Sequence, residues 1–149
     1  VPYYGIDPIT ALTSLALRVT TGGTSSNLKF GVATMSGTKA TMLTTLNPTG
    51  VASNTNTTTV SGSFGAINIK GHQFYLLCVI GAGTVMPTVT AQSNTDIVTW
   101  ATGSSSTSFG AAVFRGWTSA GNTYAGGFNS TFTLTPVSTD VPFMGVVAP

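Results

Sequence analysis

Leu15, Leu17 and Val19 alternate with Ala16, Arg18 and Thr20. That two-residue period predicts a half-buried β-strand. Leu28, Phe30 and Val32 alternate with Lys29 and Gly31 and predict a second. Gly22-Gly23 and the Ser-rich stretch beside them predict a hairpin joining the two. Thr41–Leu46 reads as a strand stopped by the turn signal Asn47-Pro48-Thr49-Gly50. Thr57–Val60 and Gly65–Lys70 read as two more, with Ile67 and Ile69 on one face.

The run Gln73 to Ile80 is apolar at both parities. It predicts a central strand covered on both faces, bounded by Gly71 and Gly81. Val85–Thr90 predicts an edge or bulged strand, because Pro87 cannot donate to a ladder. Ile97–Ala101 and Ala111–Trp117 follow, separated by the low-complexity loop Thr102–Ser108. Gly121–Gly127 is a further loop, and Ser130–Leu134 and Val141–Val147 predict the last strands. Only Asp7–Leu12 could form a short helical turn, with Asp7 as cap and Pro8 at the first position. Some ten short strands, spaced by turn signals, predict an all-β, antiparallel, jelly-roll-like sandwich. No break in composition divides residues 1–149, so a single domain is expected.

Charge changes the picture. Only 5% of the 149 residues are charged, against about 25% in ordinary globular domains. They are Arg18, Lys29, Lys39, Lys70, Arg115, Asp7, Asp96 and Asp140, and there is no Glu. Five scattered cations cannot make the patch that phosphate neutralisation requires, so no nucleic-acid partner is expected. Coiled coils and solvated bundles are excluded by the same scarcity. No window approaches the roughly 18 uninterrupted apolar residues of a membrane-spanning helix, so no membrane insertion is expected. The chain starts at Val1 without a basic-then-apolar leader, so it is expected to be a piece of a longer protein.

Catalytic chemistry is thinly supplied, and no enzyme is expected. The three Asp are far apart in sequence and no Gly-x-Ser-x-Gly elbow occurs. Gly81-Ala82-Gly83 is followed by no helix pattern, so no dinucleotide or other cofactor is expected. The single His72 and single Cys78 cannot complete a four-ligand metal shell within one chain. His72 reads as a surface-turn residue, and Cys78 as a small buried hydrophobe. Asn56-Thr57-Thr58 and Asn129-Ser130-Thr131 match the glycosylation pattern, a cheap match in so Thr-rich a chain.

What remains is a polar, uncharged surface with aromatics, among them Tyr3 and Tyr4. Aromatic faces joined to hydroxyl and amide hydrogen bonds suit neutral sugars. Two groups fit that description as ligand-binding candidates. Arg115, Trp117, Asn122 and Tyr124 form one, and Asn94, Asp96 and Trp100 the other. Core or subunit-interface packing is the alternative role for both Trp.

Leu28-Lys29-Phe30-Gly31-Val32, followed by Ser36-Gly37 and Leu43, resembles a stretch of β-sandwich domains in bacteriophage tail fibres and tailspikes. In those domains a later strand opens on Gly and carries an aromatic-rich apolar core. A Gly turn and a Pro-containing strand follow. Gly71, Phe74-Tyr75-Leu76-Leu77, Gly81 and Pro87-Thr88 are similar to that pattern, and Leu134-Thr135-Pro136 and Val141-Pro142-Phe143-Met144-Gly145-Val146 to its final strands. The resemblance covers Leu15 to the end. It implies a C-terminal, homotrimeric receptor-binding or capping module of a longer fibrous protein, extracellular at the tail tip of a virion. Its expected partners are host cell-surface polysaccharide or lipopolysaccharide and two further copies of itself. A structural virion or appendage subunit without a receptor role is one alternative. A carbohydrate-binding module attached to a polysaccharide depolymerase is another.

Overall fold

The alternation of Leu15, Leu17 and Val19 is realised in β2 (Ile9–Thr21), where all three side chains are buried. Leu28, Phe30 and Val32 do the same in β3 (Asn27–Ser36). The computed structural model describes residues 2–5, 7–92, 116–137, 141–142 and 144–147. Among them the chain is all β, with antiparallel pairing throughout and no helix.

Two sheets make a sandwich. One runs β1 (Pro2–Gly5), β7 (Gln73–Ala82), β3, β4 (Lys39–Met42) and β11 (Thr131–Thr133), with β5 (Val51–Ala52) also paired to β3. The other runs β14 (Met144–Val147), β2 and β6 (Thr58–Ile69), with β8 (Thr88–Val89) also paired to β2. Two short ribbons complete the described residues. They are β10 (Gly116–Thr118) with β12 (Thr135–Val137), and β13 (Val141–Pro142) with β9 (Ala91–Gln92). The main core lies between the sheets. Leu12, Leu15, Leu17 and Val19 of β2, with Val60, Phe64 and Ile69 of β6, meet Leu28, Phe30, Val32, Tyr75 and Leu77. Gly62 lies against the Phe30 ring, which occupies the space a Cβ would need.

The chain crosses repeatedly between the two sheets. It passes from one sheet to the other between β2 and β3, and again between β6 and β7. The expected hairpin between β2 and β3 is therefore corrected to a crossover. Both strands turn apolar rows inward, but from opposite walls of one core, so they cannot share a ladder. A polar knot holds the crossing. Ser26 and Ser53, both fully buried, join their hydroxyls at 2.7 Å, and the Ser26 amide donates to Asn54 Oδ1 at 2.7 Å.

Other boundaries moved for identifiable reasons. The helical turn at Asp7–Leu12 is replaced by the start of β2. Register shifts beside Leu12 and a positive φ at Ala11 (57°) reset the strand parity, which leaves Leu12 and Leu15 both buried three residues apart. The Ala11 amide donates to Asn68 Oδ1 at 3.0 Å. Thr57–Val60 and Gly65–Lys70 merge into β6. The strand expected at Thr41–Leu46 ends at Met42, and Leu43 and Leu46 are exposed. Of Val85–Thr90 only β8 is strand, while Val85 makes an isolated bridge with Thr24. The final strand is β14, paired to β2 from Met144↔Leu17 to Val147↔Ser14. Ile97–Ala101, Thr102–Ser108 and most of Ala111–Trp117 lie outside the described residues.

The two-sided apolar run became β7, held between β1 and β3. Tyr75 and Leu77 face the intersheet core. Leu76 faces a second, outer cluster with Ala33, Ala40 and Leu134, against which Cys78 packs. Cover fails at the start of the run, where Gln73 is exposed and Phe74 is 60% exposed.

Candidate functional site

The outer row of β3 is Lys29, Gly31 and Ala33, and the segment from Tyr124 to Leu134 lies over it. Gly31 leaves room for this cover. A Cβ there would stand 2.6 Å from Met42 Cε and 3.2 Å from the Phe128 ring. Phe128 is buried, and its amide donates to the Leu46 carbonyl at 2.6 Å. Leu134 closes the cluster over Ala33.

Lys29 fixes the loop's other end. Its side chain is only 8% exposed, although it carries a charge. Nζ donates to Asn47 Oδ1 at 2.5 Å and to the Tyr124 carbonyl at 2.7 Å, and it lies 4.3 Å from the centre of the Tyr124 ring. A buried ammonium needs such partners, because desolvation without them is expensive. The Tyr124 hydroxyl reaches Gly50, where it occupies the space a Cβ would fill.

The loop is also stapled internally. Asn122 accepts the Asn129 amide proton on Oδ1 at 2.7 Å and donates from Nδ2 to Ser119 Oγ at 3.1 Å. Asn129 Nδ2 donates to the Gly121 carbonyl at 3.2 Å, and Thr123 and Gly127 bridge each other. The candidates Asn122 and Tyr124 thus come together on one hydrogen-bonded loop, both half-buried. Trp117 stands in β10 opposite Pro136. Arg115, Asn94, Asp96 and Trp100 lie outside the described residues. The loop exposes Thr118, Thr123, Asn129 and Ser130, and residues 116–137 carry no charge.

Sequence reasoning missed a second cluster, made by strand pairing. The β1–β7 ladder sets Tyr4 opposite Phe74, with ring centres 4.7 Å apart and planes at 50°. The His72 ring lies 6.5 Å from that of Tyr4, at 57°. His72 is exposed in the turn before β7, as its reading as a surface-turn residue expects, and its amide donates to the Gly5 carbonyl at 2.6 Å. Its φ of +58° is left-handed. Beside it the Tyr75 hydroxyl accepts the Lys70 amide proton at 2.9 Å and donates to Gln73 Oε1 at 3.2 Å. The only sequence signal was the adjacency of His72 and Phe74. Tyr4 is too distant along the chain to be tied to them.

The remaining chemistry is sparse. Among the described residues no group of three or more His, Cys, Asp or Glu is placed to hold a metal ion. Burial pushes the Cys78 thiol up to about 11. Of the two glycosylation-pattern asparagines, Asn129 holds the loop, and Asn56 accepts the Gly22 amide proton at 2.6 Å. Comparison with known proteins finds no matching family model, curated relative or solved structure.

Proposed function

We propose that this chain is the receptor-binding and trimer-capping domain of a bacteriophage tail fibre or tailspike, recognising a host-surface glycan. One observation carries the reading. An uncharged loop of hydroxyls and amides is locked onto the sandwich by a buried lysine before any ligand arrives. Preorganisation of that kind lowers the ordering cost of binding. Neutral and weakly anionic sugars are recognised by hydroxyl, amide and aromatic groups rather than by ion pairs, and Trp117 belongs to β10, the strand that precedes the same loop in the chain. Near-zero net charge reduces repulsion between copies. Three copies would convert weak single sites into avid attachment. The domain acts by binding, not by catalysis.

The test uses arrayed bacterial lipopolysaccharides and capsular polysaccharides. The wild-type chain binds at least one, and Trp117→Ala abolishes that binding while the mass by light scattering stays trimeric. Unchanged binding by Trp117→Ala removes the loop from the site, and a monomer mass at micromolar concentration removes the trimer. A structural virion subunit is the second reading, favoured by the exposed Val85 and Met86 side chains. It predicts no glycan binding by the wild-type chain.

A further inference from the structure

We propose that Tyr4, His72 and Phe74 form a stacking subsite for one neutral pyranose ring, an assignment that rests on the glycan-binding reading above. Phe74 is 60% exposed while Tyr75 and Leu76 after it are each 3% exposed, so the opening lies at the start of the strand, where His72 and Gln73 are exposed too. Tyr4, half-buried, is the cross-strand partner that orients this ring, at 4.7 Å between centres. Aromatic faces beside polar groups meet the two requirements of a pyranose. Its C–H face needs an apolar plane, and its hydroxyls need donors and acceptors at the rim. His72 offers ring nitrogens that donate and accept, and the exposed Lys70 lies two residues away.

The backbone at His72 is left-handed. Its φ of +58° is one that glycine adopts without cost, yet the chain carries an imidazole there.

A pyranose ring and a second copy of the chain differ in the apolar surface they need. A stable protein interface needs about 800 Å² from each partner. Here a single exposed aromatic ring stands with two ring neighbours. The other exposed large hydrophobics among the described residues are Leu43, Leu46, Val85, Met86 and Val147, on other segments of the chain. One exposed ring is the platform that a single sugar ring needs.

The experiment titrates the chain with methyl pyranosides of glucose, galactose, mannose and N-acetylglucosamine. Aromatic-ring NMR signals of Tyr4, Phe74 and Trp117 are followed. At least one glycoside shifts the Tyr4 and Phe74 signals saturably. Phe74→Ala weakens that binding about tenfold, the loss of one good ring contact. His72→Gly weakens it as well while leaving the melting temperature the same or higher, which a merely structural histidine would not do. Three results overturn the proposal. If glycoside binds wild type and Phe74→Ala alike, the subsite falls and the glycan-binding reading stands. If light scattering shows an assembly that Phe74→Ala dissociates, the patch is a contact between copies. If the wild-type chain binds neither these glycosides nor the arrayed polysaccharides, both readings fall together.

Discussion

Lys29 and Tyr124, 95 residues apart, are joined twice by one ammonium group. Nζ donates to the Tyr124 carbonyl at 2.7 Å and sits 4.3 Å from the centre of the same residue's ring. A strand residue of the first third of the chain thereby fixes a loop of the last third. Asn47 supplies the second acceptor, at 2.5 Å, so three separate segments converge on one charge.

Removing that charge should cost more than removing the ring. Lys29→Met strands two acceptors and should destabilise the chain by about 2–3 kcal/mol. Tyr124→Leu keeps the backbone carbonyl and loses mainly the cation–π term, about 1 kcal/mol. Urea midpoints rank the two. An equal or larger loss for Tyr124→Leu would show that ring packing, not the ammonium, holds the loop.

Gly62 is under the Phe30 ring, with no room for a Cβ. Gly62→Ala should therefore cost about 1–3 kcal/mol through overpacking. Phe30→Leu frees some of that space, so the double variant should be more stable than the sum of the single losses implies. Strict additivity in chemical denaturation would mean that the strand, not the ring, gives way.

How far the sequence spoke depended on the distance over which each rule acts. Alternation correctly assigned the inward rows of β2 and β3, because side-chain parity is local. It could not say that the rows belong to opposite sheets, since an inward face carries no label for its wall. The Gly22-Gly23 turn signal was real, but it marks a crossover rather than a hairpin. Leu12 falls out of step with the alternating row because the bulge at Ala11 shifts parity without leaving a mark in the apolar pattern. The site divides in the same way. Asn122 and Tyr124 were visible as polar and aromatic residues in a Gly-rich loop. Their lock to Lys29 was not, being a contact across 95 residues. A run apolar on both parities predicts cover for Phe74 as for the rest. Only the β1–β7 pairing shows that its companion is Tyr4 at an open position.

The hydroxyls of Ser26 and Ser53 should act as one unit. They meet at 2.7 Å in a fully buried site, and Ser26 Oγ also reaches the Ser53 carbonyl at 3.1 Å. Ser26→Ala leaves the buried Ser53 hydroxyl without its partner and should cost about 1–2 kcal/mol, whereas Ser53→Ala leaves Ser26 Oγ its bonds to the Ser53 carbonyl and Asn54 Oδ1 and should cost less. The double variant removes both groups and should lose less than the two singles combined. A cycle with no coupling energy would break this account of the crossover.

Stability should fall in alkali through Cys78. Its thiol donates to the Leu76 carbonyl at 3.6 Å and packs on the outer apolar cluster, and burial raises it from 9.0 to about 11. Between those values the unfolded chain has lost a proton that the folded chain keeps. The folded state then binds more protons, so unfolding becomes easier as pH rises. The contribution is intact below about pH 9 and lost as pH climbs toward 11. Urea midpoints at pH 7, 9 and 10.5 should show that decline in the wild type and a flatter profile in Cys78→Ala. Alkylation at pH 8 should also be much slower than for an unstructured cysteine, because thiolate is the attacking form. Parallel pH profiles for the two proteins, together with fast alkylation, would show that the thiol is not held in an apolar setting.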